Sequence, residues 1–337
     1  MFELPAALAA EMARLAGSTN QRNQDQLGAT TRQLIDRYQA DTPAEPGRPI
    51  MGGEREAMAY AVYRMPATYA ALRTVLDQLP DRTVSPGAQH LDIAGGTGAA
   101  VWAVADRWPG IGGHTVLEQS AAAISLGRRL AARADGPVRQ TSWQQFVIDA
   151  GVRLPAADVV TIGYLLSEVD DRLRTELINA ALASTRQLMI ITEPGTKKGY
   201  RRILGAREQV IEAGWRIIAP CPHHLICPLQ DQERDWCHFS ARLNRTAVHR
   251  RAKGAELGYE DEKFSYLVAT PQPLGGADSP PVDRIAGRVL RHPRFAKGRV
   301  ELVVCQPSGQ AEQVTVTKRD HDRYRQARKI EWGDPWP

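Results

Sequence analysis

Nine consecutive residues in the first third of the chain, His90 to Gly98, restrict the fold more than any other stretch. His90, Leu91, Asp92, Ile93 and Ala94 read as a short buried strand, Gly95, Gly96, Thr97 and Gly98 as a glycine-rich turn, and Val101, Trp102, Val104 and Ala105 as the apolar side of a helix. Glycines let the backbone approach a ligand closely and point free amides at it. The chain then continues the same rhythm, with strands expected at 114–118, 158–162 and 187–193 and helices at 120–134 and 170–185. Such alternation predicts an α/β protein built on a parallel, doubly wound sheet. Ligands of open α/β sheets bind at the carboxyl ends of the strands, which here lead into Tyr164, Leu165, Leu166, Ser167 and Glu168 and into Glu193, Pro194 and Gly195.

The strand after the glycine turn ends in Glu118, about twenty residues downstream, where a carboxylate can hold ribose hydroxyls. The candidate cofactor-binding residues are therefore Asp92, Ala94, Gly95, Gly96, Thr97, Gly98 and Glu118. A dinucleotide site presents G-x-G-x-x-G, but Gly98 is followed by Ala99, Ala100 and Val101, and Asp92 stands just before the turn. This arrangement resembles the first motif of class I S-adenosylmethionine methyltransferases, whose acidic residue lies near the methionine end of the cofactor. Ala94 takes the place of the motif's usual first glycine.

The four cysteines form a second constraint. Cys221, Cys227 and Cys237 fall in one short segment with His223, His224 and His238, and Cys305 lies far downstream. Unrelated core cysteines would scatter, so the clustering points to a metal or iron–sulfur site rather than to inert packing. Five residues separate the first pair and nine the next, which is not the doubled C-x-x-C of a zinc ribbon. Zinc and a [4Fe–4S] cluster both remain open on this spacing, with His223 or His238 able to replace one thiolate.

The net charge of +5 is uneven: residues 284–330 carry twelve Lys or Arg against four Asp or Glu, +8, which leaves −3 for the rest. A basic end on a mildly acidic body predicts a polyanionic partner, nucleic acid, with Phe295, Tyr324, Trp332 and Trp336 as stacking faces. No stretch is long and apolar enough for a membrane span, and the N-terminus lacks a signal-peptide pattern, so a cytoplasmic location is expected. Three regions follow: a helical region 1–80, interrupted by a proline-rich loop at 41–49; a cofactor domain 81–270 that includes the cysteine segment 221–238; and, after a linker at 270–281, a basic β-rich appendage 282–337 ending in a helix. A monomer is expected.

A wider resemblance rests on Arg64, Met65, Pro66 and Tyr69, the Asp92–Gly98 turn, Leu165 to Glu168, Glu193 to Thr196, the two cysteine blocks, and Phe264, Ser265, Tyr266 and Leu267. From about residue 50 to the C-terminus the chain resembles the mitochondrial small-ribosomal-subunit assembly family, whose members are called methyltransferase-like, and it is similar to a bacterial relative of that family. The resemblance implies a class I methyltransferase, Rossmann-like domain with an N-terminal helical region, a cysteine-rich metal insert and a small C-terminal β-rich domain. It implies S-adenosylmethionine in that domain, a [4Fe–4S] cluster on Cys221, Cys227, Cys237 and Cys305, and binding to small-subunit ribosomal RNA during assembly. The alternative is a working methyltransferase of ribosomal RNA or ribosomal protein with structural zinc. Against turnover, Gly163, Tyr164, Leu165 and Leu166 stand where amino-group methyltransferases carry Asn/Asp-Pro-Pro-Tyr/Phe, and every cysteine falls after residue 220, away from the cofactor. No catalytic residue is assigned; Glu168 and Glu193 are expected to hold backbone or cofactor.

Overall fold

The computed structural model describes residues 1–17, 21–40, 51–253, 256–271 and 286–337. The proline-rich loop at 41–49 lies outside them, as does all of the linker but its first two residues. Four helices come first: α1 (Ala6–Gly17), α2 (Gln21–Ala40), α3 (Glu54–Tyr63) and α4 (Met65–Asp77). The central region follows with β1 (Gln89–Ile93), α5 (Ala99–Arg107), β2 (Gly113–Glu118), α6 (Ala121–Ala131), α7 (Gly136–Arg139), β3 (Ser142–Gln145), β4 (Ala157–Gly163), α8 (Asp171–Ser184), β5 (Thr185–Pro194), α9 (Lys197–Glu212), β6 (Arg216–Ala219), β7 (Phe239–Asn244), α10 (Ala247–Lys253) and β8 (Tyr259–Thr270). Three of its helices, α6, α8 and α9, start where side-chain oxygens cap them: Ser120 accepts from the Ala123 amide, Asp170 from Leu173 and Thr196 from Gly199. Gly214, at φ 75°, follows the end of α9.

The sheet order is β3-β2-β1-β4-β5-β8-β6, with β7 also paired to β8. Strands β1 to β5 are parallel, as expected, but β8 runs antiparallel to β5, and β6 and β7 run antiparallel to β8. The expectation of an all-parallel sheet is corrected here. The chain leaves β6 into the cysteine segment and returns through the β7–β8 hairpin, so β8 enters the sheet from the opposite end. An antiparallel strand between β5 and β6 completes the class I methyltransferase topology.

Side chains alternate across the sheet. One face puts Val116, Val159, Ile190 and Val268 against α4 and α5, and the other puts Leu91, Ile93, Ile162 and Ile191 against α8 and α9. Both faces are covered, so the central strands are apolar throughout. Each fully buried Leu or Ile contributes about 1.5–3 kcal/mol.

Residues 286–337 form a second sheet from β9 (Gly287–Val289), β10 (Arg294–Ala296), β11 (Arg299–Cys305), β12 (Ala311–Thr317) and β13 (Pro335–Trp336), with α11 (His321–Ala327) against it. Its own core holds Val289, Val300, Leu302, Val304, Val316 and Trp336. Among the described residues no helix is long and apolar enough to cross a membrane.

Candidate cofactor turn and cysteine cavity

The glycine turn sits at the carboxyl end of β1, held from both sides. Gly96 and Gly98 take left-handed backbone, at φ 57° and 89°, and so does Ala94 at φ 52°, where an L side chain is uncommon. A Cβ on Gly95 would lie 2.3 Å from Asp92 Oδ2 and 2.8 Å from Val116 Cγ1, so glycine is needed there for close approach. The Gly96 amide donates to Glu118 Oε2 at 2.9 Å and the Ser120 amide to Oε1 at 2.8 Å. Glu118 thus braces the turn, while each oxygen keeps further acceptor capacity. Thr97 instead turns its hydroxyl to Met65 Sδ at 3.3 Å. Trp143 packs over Gly98 and Gly127 as a core side chain.

The helical N-terminal region roofs this turn. Ser120 donates its hydroxyl to the Met51 carbonyl, and the Tyr60 ring and Met51 side chain lie next to Gly96. The surroundings of the turn are acidic. Burial, aided by the charge of Glu118, pushes Asp92 up to about 7, and burial with Glu118 and Glu193 pushes Glu168 up to about 8. Asp92 Oδ1 accepts from Thr161 at 2.7 Å, whereas Oδ2 is buried without a hydrogen-bond partner. A cationic ligand satisfies such a carboxylate set, and a sulfonium with an ammonium group is one.

Beyond β4, Tyr164 adopts φ 60°, lies 4.1 Å under the Arg64 guanidinium and donates to Glu262 Oε1 at 3.0 Å, which also pairs with Arg64 at 2.9 Å. Glu193 accepts from the Leu166 amide at 2.9 Å, which fixes the backbone of that segment. This three-membered Tyr–Glu–Arg assembly was not legible in the sequence, because its members come from three distant segments.

The second site is a cavity of about 570 Å³, counted out to its mouth, and Cys221, Cys227, Cys237 and Cys305 all line it. Pro220 and Pro222 stiffen the chain on either side of Cys221. Cys237 arrives at the start of β7, and Cys305 ends β11 of the second sheet, so the cavity lies between the two sheets. Burial raises the Cys221 and Cys237 thiols and carries Cys305 up to about 12; the neighbouring thiols add to this. Two buried guanidiniums oppose it: Arg207 donates to the carbonyls of His223 (3.0 Å) and Leu225 (2.6 Å), and Arg288 to those of Pro220 (3.1 Å) and Gly333 (2.7 Å) and to Gln78 Oε1 (2.5 Å). Tyr200 Oη stands 3.2 Å from Cys227 Sγ and His223 Nε2 3.4 Å from Cys305 Sγ.

The histidines divide. His223 lines the cavity, whereas His224, whose Nε2 accepts from the Ile217 amide, and His238, which bonds the Trp236 carbonyl and packs on Trp332, are not among its lining residues. Among the described residues no three Cys, His, Asp or Glu side chains gather tightly enough for one metal ion.

The basic appendage keeps one of its four expected stacking faces open. Phe295 is 53% exposed, while Trp336 is buried and Tyr324 and Trp332 are partly covered. Arg328 lies 5.5 Å from the Phe295 ring, and Phe295, Val300 and Val316 align across three strands. Lys297 and Lys318 stand in the turns that follow β10 and β12, where the Lys318 amide donates to the Gly298 carbonyl at 3.0 Å.

Comparison with known proteins matches residues 54–337 to the model of the family described as mitochondrial small ribosomal subunit Rsm22. The chain belongs to the Rsm22 family. The human mitochondrial ribosome assembly protein METTL17 is 27% identical to this Rsm22-family chain over 300 residues, covering 83% of it and 62% of the human protein. The chain therefore spans about three-fifths of that relative's length. Among solved structures, an O-methyltransferase family protein from Burkholderia thailandensis covers 75% of the chain and 71% of itself at 13% identity and TM-score 0.44. Magnesium protoporphyrin IX methyltransferase from Synechocystis covers 65% and 84% at 12% and 0.40. At those scores neither adds to what the strand order establishes.

Proposed function

We propose that this chain is an S-adenosylmethionine-binding, [4Fe–4S]-containing assembly factor that binds ribosomal RNA of the small subunit, as a monomer, in the compartment where that subunit is built. The observation that carries the reading is the meeting of three cysteines of one short segment with Cys305 of the second sheet around one cavity between the methyltransferase-like body and the basic appendage. Cys221, Cys227, Cys237 and Cys305 would hold the cluster, which supplies a thiolate-ligated, redox-sensitive tie between the two parts. Arg207 and Arg288 would offset the negative charge of such a thiolate-ligated centre.

The acidic pocket around Asp92, Glu118 and Glu168 supports a cationic cofactor. Tyr164, engaged with Arg64 and Glu262 where an acceptor base would be positioned, supports binding without methyl transfer. RNA would meet the face of Phe295, Lys297, Lys318 and Arg328, one aromatic ring stacking an unpaired base among cations that neutralise phosphates.

The test is fluorescence anisotropy of small-subunit RNA fragments against cluster-loaded and cluster-stripped protein. The reading predicts tighter binding by the loaded form, a loss of roughly fivefold to a hundredfold on Phe295→Ala, and no methyl label on the RNA. Equal affinity of the two forms would contradict the tie, and label transfer at stoichiometric protein would restore the methyltransferase alternative.

A further inference from the structure

Behind Asp92 runs a chain of buried polar side chains that neither the glycine turn nor the cysteine cavity uses. Thr161 Oγ1 bonds Asp92 Oδ1 at 2.7 Å, His90 Nε2 bonds Thr161 Oγ1 at 2.8 Å, and His114 Nδ1 bonds His90 Nδ1 at 2.9 Å. All four residues are buried, and the register of the parallel strands places them side by side: Asp92 pairs with Thr161 on β4, and His90 with His114 on β2. The chain has two loose ends, Asp92 Oδ2 and His114 Nε2, both buried without a hydrogen-bond partner. One end lies under the glycine turn, against Gly95. The other lies at the amino end of the sheet, beside exposed Gln89.

Hydrogen-bond chemistry allows this chain two directions only. With Asp92 ionised, Thr161 donates to Asp92, His90 carries its proton on Nε2 and donates to Thr161, and His114 carries its proton on Nδ1 and donates to His90. His114 Nε2 is then a bare lone pair. With Asp92 protonated on Oδ1, it donates to Thr161, Thr161 donates to His90 Nε2, His90 Nδ1–H donates to His114 Nδ1, and His114 carries its proton on Nε2. The states differ by one proton: one that enters at His114 Nε2 displaces the Nδ1 proton to His90, the His90 Nε2 proton to Thr161 and the Thr161 proton to Asp92. Both rings stay neutral in either state.

We propose that His114, His90 and Thr161 form a proton relay that sets the charge of Asp92, so that a cationic ligand binding at Asp92 discharges one proton at the far end of the sheet. The ligand half rests on the cofactor reading above; the relay does not. Burial holds both histidines below their ordinary range, His114 at about 4, which suits rings that remain neutral. The charged group that bears on Asp92 is Glu118 on β2, while His90 meets His114 and no carboxylate.

The experiment is a long-range ¹H–¹⁵N correlation spectrum of ¹⁵N-histidine-labelled full-length protein between pH 5.5 and 8.5. At high pH the relay predicts His90 protonated on Nε2 and His114 on Nδ1, and at low pH the reverse, with one shared midpoint. Asp92→Asn and Thr161→Val should each abolish the swap. Unchanged tautomers, separate midpoints, a cationic ring in this range, or a swap that persists in Asp92→Asn would overturn it. Calorimetry with S-adenosylmethionine in two buffers of different ionisation enthalpy tests the coupling: proton release is expected near the midpoint, with affinity falling about tenfold per pH unit below it. Binding without proton release would overturn the coupling. No binding at any pH would refute the cofactor reading and the coupling, while the spectra still decide the relay.

Discussion

Arg288 on β9 is 6% exposed and donates to three acceptors on three parts of the molecule: Pro220 before the first cysteine, Gln78 after α4, and Gly333 near the C-terminus. Arg288→Met keeps much of the volume and removes the charge and all three bonds. A hydrogen bond from a charged group contributes about 1.5–3 kcal/mol, and losing one member of a buried charged network costs about 3–5 kcal/mol; the lower figure allows for acceptors that water can reach. The cost should fall on the attachment of the second sheet rather than on the Rossmann-like body, because Val289, Val300 and Val304 keep their own core. Hydrogen exchange by mass spectrometry measures this directly. Amides of 287–289 and 303–305 should exchange about a hundredfold faster or more, while those of β1, β4 and β5 should be unchanged. A change under fivefold in 287–305, or an equal change in the central strands, would refute the assignment of Arg288 as the tie.

Gly95→Ala places a methyl 2.3 Å from Asp92 Oδ2 and should cost about 1–3 kcal/mol in urea unfolding, together with loss of cofactor binding by calorimetry. Asp92 and Glu168 have folded values raised to about 7 and about 8, so the folded state holds protons that the unfolded chain releases from about pH 4 upward. Their contribution is therefore fully present at low pH and lost as pH rises through that window, by at most ~4 kcal/mol per group; thermal melts of ligand-free protein should show it, and bound S-adenosylmethionine should stabilise more at pH 8 than at pH 6. In cluster-loaded protein, Tyr200→Phe removes the hydroxyl 3.2 Å from Cys227 Sγ and should lower the reduction potential by about 40 mV, the equivalent of about 1 kcal/mol, in a spectroelectrochemical titration.

The glycine turn and four of the five parallel strands, β1, β2, β4 and β5, were legible because each needs only local pattern: a buried apolar run, glycines at left-handed positions and a capped helix; the short β3, with three of its four residues exposed, carries no such run. Strand β8 spans Tyr259–Thr270, and its first half, with Asp261 and Lys263, pairs with β7 as a hairpin and looks polar in sequence. Strand β7 is hidden for the same reason: Arg242 and Asn244 give it a polar pattern. In the cysteine cavity the thiols announced themselves by clustering, whereas Arg207, Arg288 and Tyr200 did not, because buried arginines and a core tyrosine carry no spacing signal. The His90–His114 contact depends on the β1–β2 register, which only the folded sheet supplies.

The measurement that bears most directly on the central claim is iron and acid-labile sulfide analysis of anaerobically purified protein, with visible absorption and electron paramagnetic resonance spectra, beside Cys305→Ser. About four irons and four sulfides per chain, with the broad charge-transfer absorption of a thiolate-ligated cluster that weakens in the variant, is the predicted result. A colourless protein with one zinc per chain, unaffected by loss of Cys305, would contradict a cluster shared between the Rossmann-like body and the basic appendage.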